Sequence, residues 1–452
     1  MHRRTFLAAA AGIAAAGPAV ALTRGDAPLL SEAIASTELT LGARVTDHTG
    51  VLQRLLDDAS TLDRTVTLPA GSFIVSELKL PSRTRLVGVP GATRLVFGSG
   101  GHMLFASRPE MVSIRGVTFD GAESELDGYV PGLLHIENGR DVRIEDCTFT
   151  GSSLSGLALD RCGGYVTRSR FRNCGDAGIR AIESTGLSIT DNVVEDCGSA
   201  GIKVYRWTEG EDGTILTGNR IERIRADEGG TGQNGNGINV FRAASVLVAN
   251  NRIADCTFSA IRANSASNVQ IVGNNCLRSG DTAIFSEFAF EGAVISNNLV
   301  DRAAHGIAVV NFREGGRVAV VNGNVVRNLS TEGQYVGERG FGSGIAVEAD
   351  TSVTGNVVEN APQYGISVGY GPYLRDVNVA SNVIRNAGIG IAVSVVEGAQ
   401  STVITDNLIS GSRRGAIVGM RWDETASGDL ARAEAEGVEK FAHLQVERNH
   451  VS

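Results

Sequence analysis

The chain has 452 residues, of which 42% are hydrophobic and 20% charged, with 57 Gly and 6 Cys. That composition supports a large buried core and excludes a disordered chain, a disulfide-dense mini-scaffold and, for want of a Gly-X-Y period, a collagen. The net charge of −9, or −11 without Arg3 and Arg4, argues against nucleic acid or an anionic membrane as the main partner.

Residues 1–21 read as an export signal. Arg3-Arg4-Thr5-Phe6-Leu7 precedes an Ala-rich, mildly apolar run that ends in small residues at Ala19-Val20-Ala21. The paired arginines resemble a twin-arginine (Tat) signal, which makes the Tat export machinery an expected partner; an ordinary secretory leader is the alternative. No later stretch reaches the roughly 18–20 apolar residues of a membrane span. The expected location is the periplasm or the medium.

Residues 22–109 are expected to hold a cap and the first coils, with helical spacing at Thr49–Ala59. From residue 110 to 452 the chain repeats. A Gly-Ile-x-Val phrase recurs, and its leading apolar residue falls at 134, 157, 179, 202, 238, 261, 284, 307, 345, 366, 391 and 417. A second phrase, Asn-x-Val/Ile, precedes it, with Asn at 192, 219, 251, 275, 298, 324, 356, 382, 407 and 449 and Ser169 in the same slot. Each unit therefore holds at least two period-2 strands that cannot bury an apolar face alone, in a repeat too short for paired helices. The spacing predicts an all-β, right-handed parallel β-helix of about twelve coils, with stacked Ile, Val and Asn. Leucine-rich repeats share the length but need Leu spacings that are absent. A second helical stretch is expected at Gly428–Leu444.

Leu68-Pro69-Ala70-Gly71-Ser72-Phe73-Ile74-Val75-Ser76, Leu80-Pro81-Ser82 and Leu86-Val87-Gly88 are similar to the start of pectate-lyase-like β-helix proteins. With the leader and the repeats, the whole chain resembles the Tat-translocated repeat proteins of alphaproteobacterial type, a group of uncharacterised function. The wider superfamily, by resemblance, implies pectate and alginate lyases, polygalacturonases, uronate epimerases and non-enzymes.

The outward positions of the Gly-Ile-x-Val strand carry the chemistry. One column reads His135, Ala158, Arg180, Lys203, Asn239, Arg262, Phe285, Ala308, Ala346, Ser367, Ala392; two residues on, it reads Glu137, Asp160, Ile182, Tyr205, Phe241, Asn264, Glu287. The first two-thirds is polar, cationic and aromatic, and the last third is small. Inserts at Arg225–Asn236 and Ser330–Ser343 bulge from one corner four coils apart, about 19 Å at the spacing of stacked strands. Between them the corners carry Phe258, Asp281 and His305.

A cationic groove of this kind suits removal of the proton beside a uronate carboxylate. An Arg or Lys neutralises the carboxylate while a base takes the proton. Lys203 and Arg262 are the neutralisers in this scheme, His305 or Lys203 the base, and Asp281 the group that orients His305. Arg180, Asn239, Asn264 and Glu287 line the groove, and Tyr205, Trp207, Phe285 and Phe312 stack sugar faces. The partner is then an acidic polysaccharide, and the reaction a lyase or C5-epimerase step. A non-catalytic glycan- or envelope-binding scaffold and a glycoside hydrolase are the alternatives.

Gly280-Asp281 with His305-Gly306 is similar to fragments of the polygalacturonase pattern, but Thr282 stands where that pattern needs a second Asp. Glu137 and Asp160, one coil apart, would suit a retaining glycosidase. No metal or cofactor is expected, although Asp-rich corners could hold calcium. The six cysteines lack CxxC spacing and read as small buried hydrophobes.

Overall fold

The computed structural model describes residues 29–30, 47–230, 232–334, 340–431 and 440–452. Arg3 and Arg4, on which the expected export signal rests, lie outside them. The chain winds into a right-handed parallel β-helix of about 14 turns, two more than the repeats suggest. Every predicted apolar residue of the Gly-Ile-x-Val phrase occupies one ladder, in unbroken register from Leu134 through Ile202 and Ile307 to Ile417. The extra turns come earlier, where Leu78 pairs Leu104 and Leu104 pairs Leu134. Leu takes the Ile slot there and the glycine is missing, which hid both turns.

Each turn contributes a strand to three ladders. A ladder of 16 strands follows the Gly-Ile-x-Val strand in the chain, and the Asn-x-Val strand comes next. The last corner, which leads back to Gly-Ile-x-Val, carries the inserts. Period-2 alternation sends Leu134 and Ile136 inward to full burial while His135 and Glu137 stay half-exposed. Phe119, Phe149 and Phe171 stack inside, with ring centroids 4.7 and 4.8 Å apart.

The asparagine corner has a two-residue grammar. A residue with positive φ precedes each ladder amide: Asp191, Gly218, Asn250, Gly273, Asn297, Gly323, Gly355, Ser381, Asp406 and Arg448. The amides then bond in series from Asn192 to Asn449. This corrects one expected position, because Asn274 and not Asn275 is the ladder residue. Gly273, at φ 69°, takes the left-handed slot, so the next residue must be the amide.

The expected N-terminal helix spans Thr49–Thr61 and buries Leu52, Leu56 and Ala59 against the first turn. The expected second helix is not observed where it begins. Glu424–Asp429 instead pairs antiparallel with Ile417–Arg421, so Gly428 and Asp429 are strand residues. Residues 432–439 lie outside the described ones. All six cysteines are free and buried. Burial pushes the Cys162 thiol up to about 11 and the Cys147 and Cys276 thiols up to about 12. Among the described residues no helix is long and apolar enough to cross a membrane.

Candidate functional site

The outer face of the Gly-Ile-x-Val ladder aligns Arg180, Lys203, Asn239, Arg262 and Phe285 in successive rungs. Tyr205, Phe241, Asn264 and Glu287 stack beside them. Adjacent rungs bring opposite charges together, and the face is electrically balanced where the sequence suggests a cationic groove. Arg180 bonds Asp160 at 2.7 Å, and His135 bonds the same carboxylate at 3.0 Å. Burial pushes the Asp160 carboxyl up, but His135 and Arg180 outweigh it and hold the group below its ordinary value. Asp160 is thereby engaged with these two rather than paired with Glu137. Lys203 Nζ donates to Asp176, a corner residue that also takes the Ser155 hydroxyl at 2.8 Å.

Arg262 is the centre of the densest group. Its Nε donates to Glu287, whose same oxygen also accepts the Asn264 amide at 3.0 Å. The guanidinium stands 5.9 Å from the Phe285 ring. Asp281 lies on the adjoining corner, 3% exposed, with no hydrogen-bond partner for its Oδ1. Desolvation pushes the Asp281 carboxyl up, with Thr282 and Arg262 opposing. Glu287 is raised for the same first reason, with Arg262 opposing and Asp281 adding to the rise. Two buried carboxyls thus share the field of one arginine.

Both inserts close over this group. Gly232 of the first is packed so tightly on Arg262 that a side chain there would meet the guanidinium, and Gln334 of the second lies against Gly280. The first insert also reaches Asn239, whose amide donates to the Gln233 carbonyl at 3.2 Å and to Tyr205 Oη at 2.8 Å. Burial raises the Tyr205 phenol.

Other expected site residues stand apart. Lys203 is two rungs from Arg262 and ion-paired to Asp176. His305 pairs Thr282 in register, but its Nδ1 accepts the Ser343 N–H at 3.2 Å and its ring packs 5.0 Å from Phe341. With Nδ1 accepting, the neutral ring carries its proton on Nε2, which does not suit the role of base. The Asp281 carboxylate is held by Thr282 rather than orienting His305. Trp207 sits on a bulge between Tyr205 and Gly210 that the repeat spacing does not reveal, and is 59% exposed. Phe312 begins a single 3₁₀ turn at the far edge of the face, under the Arg375 guanidinium at 4.5 Å.

A cavity of about 190 Å³ adjoins the Asp281 corner, lined by Thr282, Phe285, His305, Ser343, Gln363 and Tyr364 among others. Apart from His305, no acidic or basic side chain lines it among the described residues. Nor do the described residues gather three or more side chains that could hold a metal ion. Sequence reasoning missed Asp176, because it sits in a corner and outside both columns. It also missed a third loop, 121–131, at the same corner as the two inserts.

Residues 103–232 and 206–325 match the family described as right handed beta helix region. No curated protein sequence matches the chain. Among solved structures, pre-mature gene product 12 of bacteriophage phi29 is similar at 17% identity and a TM-score of 0.52, over 84% of this chain. The chain spans 54% of that protein's length. PfbA, a surface adhesin of Streptococcus pneumoniae, aligns at 14% identity and TM-score 0.49, over 85% of this chain and 92% of the adhesin. The A-module of a mannuronan C-5 epimerase from Azotobacter vinelandii aligns at 15% identity and TM-score 0.41, over 91% and 97%. At these identities the likeness establishes the right-handed parallel β-helix and nothing finer.

Proposed function

We propose that the protein is exported and acts by acid–base chemistry on a glycan laid along the outer face of the Gly-Ile-x-Val ladder. The observation that carries this reading is Asp281. It is a buried carboxyl with a partnerless oxygen, next to the Arg262–Glu287 pair, at a corner walled by two inserts. Burial raises both carboxyls above their ordinary values, and groups perturbed in this way cluster where catalysis occurs. In this reading Arg262 turns from Glu287 to the carboxylate of an acidic sugar as Glu287 takes a proton. Asp281 then removes the proton beside that carboxylate; the C4–O4 bond breaks and O4 takes a proton from solvent, which is elimination, or water returns a proton to C5 from the other face, which is epimerisation. Phe285 and Tyr364 offer apolar faces for the neighbouring sugar ring.

The test is absorbance at 235 nm with the mature protein on pectate, alginate and glycosaminoglycans, with and without calcium, joined to proton NMR in D₂O. A rise at 235 nm marks an unsaturated uronate, and loss of the C5 proton signal marks an epimerase. Neither signal, on any substrate, rejects the catalytic reading.

A second reading, a non-catalytic glycan-binding protein, is favoured by one specific observation. Arg180, Lys203 and Arg262 are each already paired with a carboxylate of the same face. A binding face needs no proton-transfer group, so Asp281→Asn would leave glycan affinity intact under this reading.

A further inference from the structure

The same outer face carries a second cavity, of about 560 Å³, over the first turns. Its floor is the start of the outward column, Lys79, Phe105 and His135, in register on three successive rungs. Glu137 stands beside His135, Glu77 and His102 close the corner, and Tyr129 hangs over the opening, 73% exposed. The loop 121–131 that carries Tyr129 is tied down by the Asp127 N–H on the Gly101 carbonyl, at 3.3 Å. Gly101, at φ 58°, leaves room for the Glu77 carboxylate, which a side chain there would strike.

The charges of this cavity differ from those of the central face. There each cation is matched to a carboxylate; here Glu77, Lys79 and Glu137 make no side-chain hydrogen bond or ion pair with the described residues. His102 Nε2 is buried and has no partner. Burial lowers the His102 pKa and keeps the ring neutral, against the opposing pull of Glu77. Two carboxylates outnumber the one ammonium, His135 is already engaged with Asp160, and the rings of Phe105 and Tyr129 complete the lining.

We infer that this cavity binds a sugar ring that carries hydrogen-bond donors and no negative charge. Hydroxyls or an amine would satisfy Glu77 and Glu137, while Phe105 and Tyr129 take the apolar faces of the ring. A uronate would bring its carboxylate against Glu77 and Glu137. The cavity lies seven rungs from Phe285, about 34 Å at the spacing of stacked strands. It is therefore a site separate from the Asp281 corner, within reach of one extended oligosaccharide. The inference rests on the glycan reading of this face but uses none of the Asp281 group.

Calorimetric titration of the mature protein with a glucosamine tetramer, cellotetraose and tetragalacturonate tests it. The expected result is binding of at least one of the first two. The preferred one shows whether the carboxylates take an ammonium or hydroxyls. Tyr129→Ala, on an exposed ring, and the isosteric Glu137→Gln should each weaken that binding at least tenfold. Tyr129→Ala should leave the 235 nm rate unchanged. Failure of both non-acidic tetramers to bind, indifference to both variants, or equal Tyr129-dependent binding of tetragalacturonate would overturn the inference. A flat 235 nm trace would reject the catalytic reading alone and leave this titration standing.

Discussion

Asn298 Oδ1 accepts two hydrogen bonds from Asn274, one from its backbone N–H at 2.9 Å and one from its side-chain amide at 3.0 Å. The Asn298 amide in turn donates to the Ile271 carbonyl and to Asn324 Oδ1. One buried side chain therefore links three turns, and Asn298→Ala strands donors and acceptors on both sides. At roughly 1–3 kcal/mol per orphaned group, the expected loss is at least ~3 kcal/mol, read as a lower denaturation midpoint. Asn449, on the last rung, accepts from Asn407 and donates to the Ile404 and Glu447 carbonyls but has no amide beyond it and is only half-buried, so Asn449→Ala should cost less. Equal costs would show that the ladder does not act through buried amide continuity.

This corner also shows how far the sequence could be read. The Gly-Ile-x-Val register was legible to the residue because Ile stacks on Ile through nine consecutive pairings from Ile179 to Ile417. The slip between Asn274 and Asn275 arose because two adjacent amides look alike until the positive φ of Gly273 is known. Charge pairing across rungs was less legible. Asp160 stood in the outward column but its engagement with Arg180 depends on rotamers, and Asp176 lies in a corner whose direction no period-2 reading can give. The N-terminal cavity was hidden for a different reason: Leu78 and Leu104 replace the Ile of the repeat, so the column that starts at Lys79 and Phe105 was never extended upstream.

Lys203 and Asp176 form a half-buried pair, with side chains 13% and 27% exposed. Removing the ammonium leaves a carboxylate short of its counter-charge. For a fully buried pair the loss is about 3–5 kcal/mol, and solvent access here reduces it to ~1–2 kcal/mol for Lys203→Met. Adding Asp176→Asn to that variant should restore most of the loss. A double-variant cycle with no coupling would mean that Lys203 is held by packing alone.

Asp281 sets a pH dependence of opposite sign to acid denaturation. Its folded pKa is raised by burial, so its contribution to stability is fully present below the unfolded value near 4 and is lost as pH rises through the folded value. Asp160, Asp350 and Asp406 are held low, and their contributions are lost as pH falls. Comparison of Asp281→Asn with the parent cancels the latter. The variant should be more stable at pH 7, by ~1 kcal/mol for relief of a buried group short of partners, and this advantage should shrink towards pH 4. A constant difference across that window would mean that Asp281 does not titrate there.

Val318 holds a backbone slot meant for other residues. On the corner before the 16-strand ladder, successive rungs place Gly186, Gly213, Ser245, Asn268, Gly292, Val318, Asp350 and Asp376 at one register position, all with positive φ. Gly, Asn and Asp enter this region cheaply, whereas a β-branched residue meets its own carbonyl, at a cost of roughly 1–2 kcal/mol. Val318 is 42% exposed at φ 63°, so little burial offsets that strain. Val318→Asn should therefore raise stability by ~1 kcal/mol, and Val318→Gly by less because glycine gains freedom in the unfolded chain. Chemical denaturation of the three proteins decides it. If both variants are destabilised, the valine side chain contributes packing on this face that outweighs the left-handed strain.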